Sequence, residues 1–244
     1  LETEQTGYYI APRGPLMEQL HYGRKLCHPS AQVLRQPLAV AYGTDVIYAK
    51  DFDPALSLLH LGLELSPTEK GDFRQSALSL TLENGSPVCD LRYTGAQIQP
   101  CNQKASALPM ARNGSECLIL RFESKEGVVA ELLYIPFDSS DVIVRQTRLI
   151  NNTNGPITLH RAMSYQLDLS RQDLLLTTLT GAWAREFEPD TAPVRRGRTV
   201  FGSVSGTSGH YCNPFFALSD PNTGEHSGEI YGFNLIYSGS YAAS

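Results

Sequence analysis

Sugar hydrolysis requires two carboxylates flanking one glycosidic bond, and this chain offers two closely spaced aspartate pairs, Asp138 with Asp141 and Asp168 with Asp173. Turns and strand ends account for both pairs equally well, so neither marks itself as catalytic. Gly206-Thr207-Ser208-Gly209 lacks the spacing and the following helix of a serine nucleophile elbow. His210 and Cys212 stand two residues apart, but no second pair with zinc-site spacing accompanies them. No phosphate-cradling glycine loop is present. The remaining chemistry-bearing stretch is Gly181-Ala182-Trp183-Ala184-Arg185-Glu186, which holds the only tryptophan of the chain. An indole between two small residues, followed by an acid-base pair, suits a sugar-stacking platform or a tryptophan buried in a core or interface.

The bulk composition narrows the partners. The 244 residues are 41% apolar and 18% charged, with 20 glycines and 15 prolines, which describes a turn-rich globular chain. A formal net charge of -5 provides no positive field for a phosphate backbone, so nucleic acid is not an expected partner. Arg185, Arg195, Arg196 and Arg198 form the one basic cluster, offset by Glu186, Glu188 and Asp190. Five cysteines, Cys27, Cys89, Cys101, Cys117 and Cys212, are an odd count without a CxxC pair, which favours reduced thiols in a cytoplasmic protein. The start Leu1-Glu2-Thr3-Glu4-Gln5 is acidic, unlike a signal peptide, and no apolar run is long enough to cross a membrane as a helix. In such a compartment the Asn-x-Ser/Thr triplets at Asn84, Asn113 and Asn151 carry no meaning.

The elements that must position these residues read as β-strands. Leu16, Glu18, Leu20 and Tyr22 share one strand face, ending at a turn through Gly23-Arg24-Lys25. Asp53-Pro54 opens a segment in which Leu56, Leu59 and Leu63 recur at helical spacing, predicting one short helix interrupted near Gly62. Three hairpins follow. Leu78, Leu80 and Leu82 alternate before an Asn84-Gly85 turn; Leu118, Leu120 and Phe122 alternate before Lys125-Glu126-Gly127 and a return from Val128 to Ile135; Val142 to Ile150 turns through residues 151–156 and continues from Ile157 to Leu169. Glu188 to Gly197 reads as a polar linker, Thr199 to Ser205 as a strand, 206–210 as a loop, and Gly228 to Tyr237 as a final strand. Successive hairpins without long helical periods predict antiparallel all-β architecture.

Taken in order, several blocks resemble the amino-terminal region of α-galactosidases of glycoside hydrolase family 36. They are Leu20-His21-Tyr22-Gly23-Arg24-Lys25, Gly71-Asp72-Phe73-Arg74, Asp141-Val142-Ile143-Val144-Arg145, Arg161-Ala162-Met163-Ser164, Gly181 to Glu186, Gly206 to His210, Asn213-Pro214-Phe215, Gly228 to Phe233 and Tyr237-Ser238-Gly239. The resemblance implies a β-supersandwich, a large mutarotase-like β-sandwich of antiparallel sheets, over residues 1–244 and truncated at its carboxy-terminal end. In the family this domain precedes a (β/α)8 barrel that carries both catalytic aspartates and hydrolyses terminal α-galactosyl groups of melibiose- and raffinose-type sugars, with retention and without a cofactor. No stretch here resembles the Lys-Trp-Asp block around the family nucleophile, so no catalytic residue is carried over.

The same resemblance implies three further roles. A loop of this domain in bacterial members enters a neighbouring subunit's active site with an acidic residue, and the corresponding region, Gln32 to Asp53, departs from the family pattern, leaving Asp45, Asp51 and Asp53 as candidates. The expected partners are the enzyme's own barrel, further copies of the enzyme and an α-galactoside, with neither nucleic acid nor membrane. Trp183 moves from sugar platform towards an interior or interdomain role, and with Arg185, Glu186 and His210 it is expected to be a structural or interface anchor.

Overall fold

A computed structural model of the protein describes residues 1–35, 46–101, 109–111 and 113–244, apart from the side chain of His60. They form two compact units, the first built mainly from residues up to Leu169 and the second mainly from Ser170–Ser244. Strands dominate both, and in the first unit the hairpin signals predict them.

In the first unit, β1 (Thr6–Arg13) and β2 (Leu16–Arg24) form an antiparallel hairpin whose turn is Gly14-Pro15. This corrects the expected turn at Gly23-Arg24-Lys25: Gly23 and Arg24 pair with Gly7 and Thr6 inside the ladder. The first strand escapes sequence reading because Tyr8-Tyr9-Ile10-Ala11 does not alternate. A four-residue helix α1 (Ala31–Leu34) follows. β3 (Leu78–Thr81) pairs with β8 (Thr158–Ala162), while β4 (Arg92–Pro100), β5 (Glu116–Glu123), β6 (Val128–Phe137) and β7 (Val142–Asn151) form a four-stranded meander.

Two of the three expected hairpins therefore need correction. The Asn84-Gly85 turn exists, closed by Leu82 N–H on Ser86 O at 2.9 Å, but Pro87 has no amide to extend a ladder, and β3 finds its partner in β8. β7 returns along β6, not towards residues 157–169. The hairpin across Lys125-Glu126-Gly127 is as expected.

Alternation on these strands builds the main core. Leu78 and Leu80 point inward with Leu120, Phe122, Val128, Ala130, Leu132 and Tyr134. Each fully buried leucine contributes about 1.5–3 kcal/mol relative to exposure. A smaller cluster joins Leu16 to Tyr48, Ala49, Leu56, Leu58, Leu61 and Leu63. The expected helix after Asp53 reduces to one 3-10 turn, Leu58–His60. Leu59, assigned to its buried face, is exposed, whereas Leu61, Leu63 and Leu65 are buried with strand-like alternation. Asp53 bonds the amide of Ala55, and Ser57 Oγ caps Leu59 N, so side chains hold turns where helix bonds would begin.

In the second unit, β9 (Leu175–Ala182), β10 (Arg185–Pro193), β12 (Cys212–Ser219) and β13 (Ile230–Asn234) form a sheet in the order β10-β9-β12-β13. β11 (Phe201–Ser203) pairs with β14 (Tyr241–Ala243). Phe216 lies between Phe201 and Phe233, with centroids at 5.0 and 4.7 Å. The expected linker from Glu188 is the second half of β10, an edge strand exposed along its whole length. Its two prolines and alternating acids suit an edge. The strand at 230–234 is followed by β14, so it is not the last.

Candidate functional site

The loop carrying Asp51 and Asp53 is closed like a hairpin. Ile47 bridges Ser57, and Tyr48 N–H donates to Leu56 O at 2.9 Å. At its tip, the amides of Phe52 and Asp53 both donate to Ala49 O, at 2.9 and 2.8 Å. The underside is fixed by the buried Tyr48, Ala49 and Leu56. Phe52 covers Gly14, where a Cβ would lie 2.6 Å from the ring and where φ is +56°, so glycine is required on both counts.

This scaffold separates the three candidate aspartates. Asp53 Oδ1 is occupied by the Ala55 amide at 2.9 Å. The Asp51 side chain is 76% exposed, with the Arg92 guanidinium 3.9 Å away. Asp45 lies outside the described residues. Around Asp51 stands a group that sequence reading missed: Tyr48 Oη donates to Asp90 Oδ1 at 2.5 Å, Arg92 Nε donates to Asp90 Oδ2 at 3.0 Å, and the guanidinium sits 6.0 Å from the centre of the Tyr48 ring. Burial, then the bond to Asp90, pushes the Tyr48 phenol far up, which keeps it a donor. The Asp90-Leu91-Arg92 alternation, with Leu91 buried between two charged residues, was the available signal. The set can bind a polar ligand: Asp51 offers a solvated acceptor and Arg92 a fixed donor.

Asp141 and Asp168, one from each closely spaced pair, act structurally. Asp141 Oδ1 accepts from Thr3 Oγ1 and from the amides of Gln5 and Thr6, tying down the amino-terminal segment, and these bonds hold its pKa below the usual range. Asp168 accepts from Arg74 Nη1 at 2.7 Å and Leu63 N at 3.1 Å, while Asp173 belongs to the second unit. A second unforeseen cluster is interior. Glu64 is fully buried and accepts from the hydroxyls of Tyr8 and Tyr134. Arg145 donates to Glu64 O at 2.8 Å and lies over the rings of Tyr134 and Tyr165. Burial pushes the Glu64 carboxyl up, opposed by Arg145 and the phenols. Its partners lie 56 and 70 positions away, a separation that no local pattern reveals.

Trp183 sits in the tight turn between β9 and β10, and it is 83% exposed. The interior half of the anchor expectation therefore fails within this chain: a hairpin tip has no layer above it. The tip itself is closely built. Gly181 admits no Cβ, which would lie 2.5 Å from Arg185 O and 2.9 Å from His210 O, and Glu186 Oε1 accepts the Ala184 amide at 3.0 Å. Ala184 and Phe187 hold positive φ of 63° and 60°, and Phe187 is 51% exposed. Arg185 pairs with Glu188 at 3.6 Å, and His210 packs on Tyr211 at 4.1 Å. Cys212 Sγ bonds Gly202 O at 3.0 Å and serves the fold. Among the described residues no three His, Cys, Asp or Glu side chains gather where they could hold a metal ion, and no helix is long and apolar enough to cross a membrane.

Comparison with known proteins places this geometry. α-Galactosidase C of Emericella nidulans is 36% identical over 178 residues, covering 71% of this chain and 24% of that protein. α-Galactosidase 1 of Pediococcus pentosaceus is 31% identical over 248 residues, covering 99% of this chain and 34% of the relative. Among solved structures, a variant of the GH36 α-galactosidase AgaA from Geobacillus stearothermophilus in complex with stachyose superposes with a TM-score of 0.92 at 29% identity, over 100% of this chain and 34% of that one. The α-galactosidase from Lactobacillus brevis gives 0.90 at 30%, over 99% and 33%. The chain thus spans about a quarter to a third of the length of these relatives. The antiparallel all-β expectation and the supersandwich agree with these neighbours. The family model described as the glycosyl hydrolase family 36 N-terminal domain matches residues 15–244, and the chain belongs to that family.

Proposed function

We propose that this chain is the amino-terminal, non-catalytic β-supersandwich of a longer retaining α-galactosidase that removes terminal α-galactosyl groups from melibiose- and raffinose-type oligosaccharides. The observation that carries the reading is the family match over residues 15–244, together with the chain's one-third share of α-galactosidases of the same fold. The two compact units act as one domain in this reading, and the match across both supports it. The chain alone has no turnover; its role is to pack against the catalytic barrel, to mediate contacts between copies, and to present the Asp51 loop to a neighbouring site. Asp51 is favoured over Asp53 because its carboxylate is exposed, whereas that of Asp53 accepts the Ala55 amide. The exposed Trp183 tip, with Arg185, Glu186 and His210, serves as the interface anchor. Five free thiols support a cytoplasmic setting.

Co-expression of the chain with the separately encoded remainder of the enzyme tests the packing role. Co-elution with recovered activity is the expected result, and independent elution of two folded pieces would count against it. The exposure of Trp183 also favours a second reading, a free-standing galactoside-binding module. A saturable change in tryptophan emission with melibiose, lost in Trp183→Ala, would select that reading.

A further inference from the structure

The end of the second unit's sheet that carries the β9-β10 turn gathers exposed apolar side chains from three segments. Cys212 pairs with Thr180, and a Cβ on Gly181 would meet His210 O at 2.9 Å, so the 204–211 loop lies beside the Trp183 tip. Ser208 N–H donates to Ser238 O at 3.0 Å and Ser208 Oγ to Tyr237 O at 2.7 Å, which brings in the chain before β14. These segments hold Trp183, Phe187, Val204, Tyr211, Ile236 and Tyr237, all exposed, with Val204 at 99% and Tyr211 at 60%. Backbone geometry and hydrogen bonds hold them there. Phe187 has positive φ inside the register shift between Arg185 and Glu188, where an extra residue re-aims the strand. Ser203 Oγ and Ser205 Oγ both donate to Thr207 O and fix the loop that presents Val204.

A preordered apolar surface suits a protein partner, since its ordering cost is met within the fold and its aromatic rings can serve as anchors. Val204 and Ile236 carry no flat face for a sugar ring, which disfavours a carbohydrate platform. Arg185 and Glu188, paired at 3.6 Å with both side chains more than half exposed, supply the charged rim that such interfaces have. Length and position indicate which partner it is. The chain covers 34% of α-galactosidases that share its fold, so most of such an enzyme lies outside it. Ser203 pairs with Tyr241, which puts the continuation of a longer chain about 13 Å from Val204, four strand residues at 3.3 Å each. A segment tethered so close has an effective concentration on the order of millimolar, ahead of any free partner. We propose that these six side chains form one docking surface, covered in the longer enzyme by the catalytic part of the same chain. The inference rests on the reading of this chain as the amino-terminal part of an α-galactosidase, and it names the face that the catalytic part covers.

The test places Val204→Asp and Trp183→Ala separately in the 244-residue chain and in the full-length enzyme. In the chain both should leave the thermal midpoint within about 2 °C of wild type, as exposed positions do. In the full-length enzyme each should shorten the half-life of thermal inactivation about 10-fold, because a charge or a void is set against a desolvated surface. Hydrogen exchange gives a second readout that needs no variant: amides of residues 204–211 and 236–240 should exchange about 10-fold more slowly in the enzyme than in the chain. Equal exchange in both, or variants that are silent in an enzyme with normal turnover, would overturn the docking surface while leaving the family reading intact. Equal destabilisation of chain and enzyme would assign these side chains to the chain's own fold and also overturn it. Protection lost on dilution, with a smaller species in sedimentation, would assign the surface to a second copy and overturn it. A melibiose-dependent change in Trp183 emission would assign it to sugar, with the same result. Absence of turnover by the wild-type full-length enzyme on p-nitrophenyl α-galactoside would instead remove the α-galactosidase reading on which the proposal rests.

Discussion

Arg74 Nη1 donates to Asp168 across 2.7 Å, and this pair fastens the segment before β3 to the chain beyond β8. The same guanidinium donates to Leu61 O at 2.7 Å, to Leu58 O at 3.3 Å and to Asp72, so one side chain holds the 3-10 turn and the base of the Asp51 loop. The Gly71-Asp72-Phe73-Arg74 block is in this light a structural signature. Arg74→Ala should cost roughly 3 kcal/mol of unfolding free energy by urea titration, since it strands the nearly inaccessible Asp72 carboxylate. A loss below about 0.5 kcal/mol, the scale of an ordinary surface change, would contradict this role.

The sign of the pH dependence follows from Asp72. Burial pushes its carboxyl up, but the bonds from Arg74 and Ser66 outweigh burial, and its pKa lies below the ordinary 3.8. A depressed carboxyl contributes stability that is complete above 3.8 and is lost as pH falls through the lowered value. Asp72→Asn should therefore destabilise by about 1–3 kcal/mol at neutral pH, with the gap from wild type closing in acid. A gap independent of pH would contradict the assignment.

Glu64 has the opposite sign. Its raised pKa means that stability from the protonated form is complete below the ordinary 4.5 and is lost as pH rises through the higher folded value. Wild type should lose stability relative to Glu64→Gln across that window, as read by denaturant titrations at several pH values. Glu64→Ala should cost about 2–5 kcal/mol, because it opens a cavity and leaves the buried hydroxyls of Tyr8 and Tyr134 without their acceptor. Wild type gaining stability relative to the glutamine variant as pH rises would contradict the sign.

Trp183 is the sole tryptophan, so emission reports one site. In this chain it should emit as solvated indole and be quenched freely by acrylamide, and Trp183→Ala should change stability by less than about 0.5 kcal/mol. Ala184→Gly should stabilise by about 0.5–1 kcal/mol, because φ of 63° suits glycine. Blue-shifted, protected emission, or a destabilised glycine variant, would overturn this description of the tip.

The strands with clean alternation, such as those ending at Phe122 and beginning at Val128, were legible because each leucine or valine faces one core. Pairing was harder to read. The partner of Leu80 is Leu159, and nothing near Asn84-Gly85 signals so distant a strand. β10 was read as linker because an edge strand with no buried face carries no apolar alternation. The acidic loop was located through family resemblance, but its donor, Arg92, lies 41 positions beyond Asp51 and becomes visible only where the loop base meets β4.

The central claim is that this chain supports α-galactoside hydrolysis without performing it. Hydrolysis of p-nitrophenyl α-galactoside by the purified 244-residue chain, set beside the longer enzyme at equal molarity, tests it most directly. The account predicts release at the buffer rate from the chain and clear turnover from the longer enzyme. Turnover by the chain that survives repurification would contradict it.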